Sequence, residues 1–426
     1  MTLPASYNLL WRLARPALPF ILNRRAAAGK EDRMRLAERY GRLDGRADIP
    51  DAPIWIHAVS VGESVGAVAL ARGLRARRPD IPLLVTTNTV TAGSRIAAQP
   101  ADLGLAHLYQ PLDHPAMVDS FLRATRPRMA LFLESDFWPN LITRAAAKMP
   151  VALVSAQLSD RAFARWQRQR TLARAVFGAP DLVLAVDPQQ ADRFGELGSN
   201  PQNVHIGGSL KLPPSRGDID EQLALMLRQA AGKRRILLAA STHEGEDATI
   251  IEAAAALGEN WFTIIAPRHP ERGAAVASQC MAAGHRATRR GAGETAGPQD
   301  DIHIADTLGE MDSLFSVADI VFLGGSLRPL GGHNPVEPAV HGLPIITGPH
   351  VHKNRAEFAG LEEAGVVSAV DSAAALASTA TQISDDADRM AHIAAAARDY
   401  ATRAGKRAEF AADSCLALID RTRRPS

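Results

Sequence analysis

Apolar and polar positions alternate along most of this chain in a regular way. From Pro53 to Val59 an apolar run reads as a strand, and Ser60 then opens a helical pattern that continues to about Arg77. Further strands are predicted at Leu83 to Thr87, Ala130 to Leu133, Val151 to Ser155 and Leu182 to Val186, with helices such as Pro115 to Arg123 and Asn140 to Lys148 between them. A second series begins after the glycines and paired prolines of residues 207–217. Its strands are predicted at Ile236 to Ala240, Phe262 to Ala266, Ile302 to Ala305, Ile320 to Leu323 and Leu343 to Thr347. Beyond Ser372 the chain is alanine-rich and helical. Strand and helix alternation of this kind predicts parallel, doubly wound sheets with ligands at the carboxyl ends of the strands, where Glu63, Thr87, Glu134 and Ser155 fall. The expected fold class is α/β, with two Rossmann-like domains facing across a cleft. The boundaries expected are a basic, apolar segment over 1–47, a first domain over 48–210, a linker over 211–217, a second domain over 218–395 and a helical region over 396–426.

The length of 426 residues and a hydrophobic content of 46% suit two cores rather than one. A net charge of +2 argues against a nucleic-acid binder. That charge is unevenly spread, because residues 1–46 hold ten Lys and Arg against four Asp and Glu, leaving the remainder net acidic by four. Leu9-Leu10-Trp11, Leu13, Ala17-Leu18 and Phe20-Ile21-Leu22 precede the basic run Arg24, Arg25, Lys30, Arg33 and Arg35. This segment is too short and charged for a membrane span and has no small-residue cleavage site. It suits a helix lying on an anionic membrane surface. Cys280 and Cys415 fit no metal spacing and read as buried or free thiols in a reducing compartment.

The stretch Gly324 to Pro349 carries the most local chemistry. A strand ends in Gly324-Gly325-Ser326, a glycine-rich loop follows, and a helix is expected to open at Asn334-Pro335 with Glu337 in its first turn. Free amides at such a start attract an anion, a phosphate above all. Five stretches then occur in order: His57-Ala58-Val59-Ser60-Val61-Gly62-Glu63, Glu134-Ser135-Asp136-Phe137-Trp138-Pro139-Asn140, Ser241-Thr242-His243-Glu244-Gly245-Glu246, Pro267-Arg268-His269-Pro270-Glu271-Arg272 and Gly331-Gly332-His333-Asn334-Pro335. Together with Glu38-Arg39-Tyr40-Gly41 they resemble the 3-deoxy-D-manno-octulosonic acid (Kdo) transferases of lipopolysaccharide synthesis over nearly the whole chain. The resemblance implies a GT-B fold, CMP-Kdo as donor, a lipid A precursor as acceptor, inversion at the anomeric carbon, and work at the cytoplasmic side of the inner membrane. Ser135, Asp136 and Phe137 depart from the family's usual residues, which predicts altered packing near the acceptor.

Taken alone, Glu63 could be a helix cap or a general base, and a helix start is expected to lower its pKa. The resemblance favours the base. Glu134, Arg161 and Arg165 are candidates for the acceptor, the arginines with exposed rings at Phe163 and Trp166 beside them. Ser241, Thr242, Arg268, His269, Gly325, Ser326, Gly332, Asn334, Glu337 and Asn354 are candidates for the donor, Gly332 and Asn334 through their amides. No metal or other cofactor is expected, since the histidines are scattered and no paired-acid run is present. Two alternatives are a nucleotide-sugar 2-epimerase on the same scaffold and a non-catalytic nucleotide-binding membrane protein.

Overall fold

The computed structural model describes residues 3–46, 48–210 and 217–422. The chain divides into two compact units, Met1–Pro213 with Lys406–Ser426, and Pro214–Gly405. Lys211 to Arg216 of the expected linker lie outside the described residues.

The first unit is a seven-stranded sheet. In chain order its strands are β1 (Ile54–His57), β2 (Leu83–Thr87), β3 (Leu105–Tyr109), β4 (Met129–Leu133), β5 (Val151–Ala156), β6 (Leu182–Ala185) and β7 (Val204–Ile206). They stand in the order β3-β2-β1-β4-β5-β6-β7. Every neighbouring pair is parallel, Ile54 opposing Leu83 on one side and Met129 on the other. Parallel central strands are covered by helices on both faces, so β1, β4 and β5 are apolar at nearly every position and fully buried. The sheet order turns back between β1 and β4, and such a switch point leaves a crevice at the carboxyl ends of those two strands.

The second unit repeats the plan. Its strands are β8 (Arg235–Thr242), β9 (Trp261–Pro267), β10 (Ala287–Arg289), β11 (Ile302–Ile304), β12 (Ile320–Leu323), β13 (Ile345–Thr347) and β14 (Val367–Ala369), in the order β10-β11-β9-β8-β12-β13-β14 and again all parallel. Its switch point lies between β8 and β12. The fold is therefore the α/β pair of Rossmann-like units that the alternation predicts. Strands β3, β7, β10 and β14 were not among those it predicted.

Both chain ends pack on the first unit. The last helix, Ala387–Thr422, starts in the second unit and finishes in the first. There Ala411, Ala412, Cys415, Leu416 and Ile419 join Ala67, Leu70 and Leu74 in one core, and Gly73 lets the helix Val61–Arg77 approach to the Ala408 carbonyl. At the other end, the helices Ala5–Ala14 and Leu18–Ala27 meet at Pro16. The Tyr7 hydroxyl donates to Asp113 Oδ2 at 2.7 Å, and the Asp113 carboxylate accepts from the amides of Asn140 and Leu141, capping the helix Pro139–Ala146. Burial dominates the electrostatics of that carboxyl and pushes it up to about 7 despite these donors. The basic run is not all free for an outside surface. Arg25 pairs with buried Glu31, Arg35 and Arg46 with buried Glu38, and Arg39 is itself buried against Glu31. The apolar side chains behave differently: Leu10, Leu13 and Phe20 are 66%, 70% and 72% exposed. Among the described residues no helix is long and apolar enough to cross a membrane.

Candidate active site

In the first unit, the turn after β1 places Ser60 as the N-cap of the helix Val61–Arg77, its hydroxyl accepting from the Glu63 amide at 3.4 Å. Glu63 answers by accepting from the Val59 amide at 2.5 Å, a reciprocal arrangement close to a capping box. The residue is only 8% exposed. Burial raises its pKa to about 7, Glu134 and Asp136 push the same way, and the Val59 amide opposes them. The expectation that the helix start would lower this pKa is thus corrected, because loss of water outweighs the end of the helix. A carboxyl poised near neutrality is suited to accept a proton.

Glu134 directly follows β4 and has φ 57°, the left-handed region that costs a residue with a Cβ about 1–2 kcal/mol. It is fixed there by its amide bonding the Val154 carbonyl and its own carbonyl accepting from Gln157, whose side chain also reaches Glu134 Oε2 at 3.3 Å. Strained backbone of this kind clusters at functional sites. Asp136 accepts from the Trp138 indole and stands 3.5 Å from His57 Nε2. The geometry is too poor for a hydrogen bond, so the buried Nε2 has no hydrogen-bond partner, while Nδ1 meets the Thr86 hydroxyl at 2.8 Å. His57 was not singled out from the sequence, although it opens the first motif. Phe137 is packed edge-on against Phe177 and Phe194, so its place in the chain is a core position.

Arg161 and Arg165 lie exposed on the helix Asp160–Arg168. The rings between them are not exposed as expected. Trp166 stands edge-on to Phe177 at 5.0 Å and Phe163 lies beneath the Arg193 guanidinium, so the aromatic face of this amphipathic helix belongs to the core.

In the second unit the ends of β8 and β12 come into close contact. Ser241 has φ 56° at a break in register between Ala240 and Thr242, and a Cβ on Gly324 would stand 2.4 Å from the Ser241 carbonyl oxygen. Only glycine fits there. The Thr242 hydroxyl bonds Asp247, and the Thr242 carbonyl accepts from the Arg268 amide at 3.0 Å, which fixes the turn carrying exposed Arg268 and His269. Glu337 is exposed and accepts from Asn334, whose Oδ1 in turn accepts from the Val336 amide at the start of the short helix Val336–His341. Asn354 donates to the carbonyls of Gly332 and His333 and so holds the glycine loop.

The amides at the beginning of the glycine loop are already in use. Fully buried Glu246 accepts from Gly325 at 2.8 Å, Ser326 at 2.9 Å and Leu327 at 2.9 Å, and from His243 at 2.9 Å on its own loop. The Gly332 amide donates to the Gly325 carbonyl, and the Ser326 hydroxyl is fully buried between Leu323 and Gly348. Of the two amides expected to meet the donor, that of Gly332 is thus corrected, being engaged within the loop, and the anion held by the amides of Gly325 and Ser326 is the protein's own carboxylate. The only advance signal for Glu246 was its place three residues after His243 at a helix start.

Two parallel Rossmann-like units, each with polar candidates at its switch point, define an enzyme of the GT-B class. Comparison with known proteins agrees. Residues 34–213 match the family model described as 3-deoxy-D-manno-octulosonic-acid transferase (kdotransferase). The 3-deoxy-D-manno-octulosonic acid transferase of Bordetella pertussis is 37% identical over 81% of this chain and 82% of its own, and that of Haemophilus influenzae 32% identical over 86% and 87%. A solved UDP-GlcNAc 2-epimerase from Neisseria meningitidis, bound to UDP-GlcNAc, superposes with a TM-score of 0.58 at 12% identity, covering 86% of this chain and all of that one, which shows a shared fold alone. The chain belongs to the 3-deoxy-D-manno-octulosonic acid transferase family, and it is a glycosyltransferase.

Proposed function

We propose that this Kdo transferase moves Kdo from CMP-Kdo to a hydroxyl of a lipid A precursor (lipid IVA) with inversion, using Glu63 as general base. The observation that carries the reading is the buried Glu63 carboxyl, held near neutrality at the switch point of the first unit beside Glu134 and Asp136. As the acceptor oxygen bonds to the anomeric carbon, its proton passes to Glu63. The bond from that carbon to the CMP phosphate breaks with its electron pair, and CMP leaves. Glu134 orients the acceptor hydroxyl, and Arg161 and Arg165 meet the acceptor's phosphates. On the donor side Arg268 faces the phosphate or the Kdo carboxylate, His269 lies beside it, Ser241 and Thr242 shape the wall, and Glu337 and Asn334 receive ribose hydroxyls. Arginines stabilise the departing monophosphate, so no metal is required.

Incubation with CMP-Kdo and a tetraacyl lipid A precursor is expected to yield a product heavier by whole Kdo units in mass spectrometry, with the rate unchanged by EDTA. No mass gain would refute the acceptor, and loss of activity restored by magnesium would refute the metal-free step.

The enzyme is placed at the cytoplasmic side of the inner membrane, on an anionic surface, through its first two helices. Exposed Leu9, Leu10, Leu13, Phe20 and Ile21 beside Arg12, Arg15 and Arg24 support this. Replacing Leu10, Leu13 and Phe20 together with Ser is expected to lower co-sedimentation with vesicles rich in anionic lipid at least tenfold, since each buried side chain contributes about 1.5–3 kcal/mol. Turnover of a detergent-dispersed acceptor should stay within a few fold. Undiminished co-sedimentation would place the membrane contact elsewhere.

A further inference from the structure

Two loops of the second unit bring a pair of imidazoles head to head. His243 follows β8 and His333 lies in the glycine loop after β12. Their Nε2 atoms are 2.8 Å apart and their ring planes differ by 9°. Gly325 leaves them room, since a Cβ there would stand 3.1 Å from His333 Cδ2 and 3.5 Å from His243 Cδ2. Both are held by the backbone, His243 through its amide to Glu246 and His333 through its carbonyl from Asn354.

At that separation one nitrogen must carry a hydrogen and the other a lone pair, because two N–H groups or two lone pairs would repel. The pair therefore holds one proton between its rings. A second charge on it cannot be added without driving the rings apart, so it has room for one further proton, on an outward Nδ1. Such a pair titrates as a unit rather than as two separate histidines.

The surroundings decide when that proton enters. Arg268, His269 and Arg272 face the pair from the turn after β9, His269 edge-on to His243 at 5.8 Å. Lys353 bears on it from the turn after β13, with His352 beside Gly331, and Arg328 stands next to Gly245. Glu246 is the carboxylate that favours charge, and its oxygens are already engaged by four amides. Burial first, then the neighbouring ring of His243 and the charges of Arg268 and Lys353, hold His333 down to about 4, and burial with Arg272 and Arg268 holds His243 below its ordinary value against Glu246, so the free protein keeps the pair neutral.

An anion bound among the same cations would cancel much of their repulsion. We propose that His243 and His333 form one proton-sharing pair that takes up a proton when a nucleoside phosphate diester binds at the Arg268 loop. This rests on the donor assignment made above. The proton adds a positive charge beside the phosphate when the donor is in place and withholds it from the empty site, so donor affinity rises as pH falls.

The test is calorimetric titration of the full-length enzyme with cytidine 5′-methyl phosphate, a stable diester whose own charge does not change between pH 6 and 8. Running it in buffers of different ionisation enthalpy counts protons. The wild type is expected to take up close to one proton per ligand at pH 6, with affinity falling by up to about tenfold per pH unit above that. His243→Asn and His333→Asn are expected to bind with uptake near zero, whereas a merely structural role would weaken binding without changing the proton count. Either variant suffices should the other not fold, and the wild-type count decides if neither does. Binding by the wild type without uptake, or uptake unchanged in the variants, overturns the coupling alone. No binding at any pH overturns the donor assignment and the coupling with it.

Discussion

Glu63→Gln is expected to fold, to bind CMP-Kdo with affinity close to the wild type, and to lose about 10²–10⁴-fold in kcat, the usual contribution of a positioned general base. Single-turnover measurement with saturating donor and acceptor reads this directly. The same carboxyl sets the pH profile. It must be ionised to accept the acceptor's proton, so the wild-type rate should climb as pH rises through about 7 and level off above it, while the residual rate of the Gln variant lacks that step. Stability runs the opposite way. A carboxyl whose pKa is raised on folding binds its proton more tightly in the native state, so its contribution is present at low pH and is lost as pH rises from the unfolded value through about 7. At pH 8 the wild type carries the cost of a buried charge, up to about 3 kcal/mol, that the Gln variant escapes. The variant should therefore melt no lower than the wild type at pH 8, with the advantage fading toward pH 5. Substantial turnover by Glu63→Gln, or a wild-type rate flat between pH 6 and 8, would return Glu63 to the role of a helix cap.

That opposition between activity and stability explains why the sequence left Glu63 open. The cap is a local feature, visible in the spacing from Ser60, and the structure contains it. The raised pKa comes from burial and from the carboxylates of Glu134 and Asp136, more than seventy positions away, and no local rule carries that information. The same division holds across the molecule. Central strands such as β4 and β5 are buried on both faces and read as unbroken apolar runs, so they were legible. Strands β7 and β10 are short edge strands with exposed or half-exposed positions, and their sequences, Val-His-Ile and Ala-Thr-Arg, give no run to find. The basic N-terminal segment looked uniform as a charge count. In the fold, buried Glu31 and Glu38 engage Arg25, Arg35, Arg39 and Arg46, while Arg12, Arg15 and Arg24 lie exposed along the first two helices. Trp166 and Phe163 follow the same logic: the arginines mark the outer face of their helix, and the rings between them therefore turn inward.

An anion site was expected at the helix start near Asn334; the anion the fold supplies lies earlier in the same stretch, on the amides of Gly325, Ser326 and Leu327, and comes from Glu246, 79 to 81 residues before them in the chain. Its two oxygens accept four amides, which uses the hydrogen-bonding capacity of an ionised carboxylate, and it is fully buried, so water cannot replace it. Glu246→Ala should strand these donors and cost about 3–5 kcal/mol in the second unit, seen as a lower urea midpoint of its unfolding. Gln is not a mild substitute here. Its NH₂ group would point two donors at amides that are themselves donors, so Glu246→Gln is expected to lose nearly as much as Ala. Because the nest joins the loop of His243 to that of Ser326, loosening it should raise the donor KM at least tenfold while leaving the acceptor KM within a few fold. An unfolding midpoint for Glu246→Gln equal to that of the wild type would mean that the amides find other partners, and the nest would then hold neither loop in place.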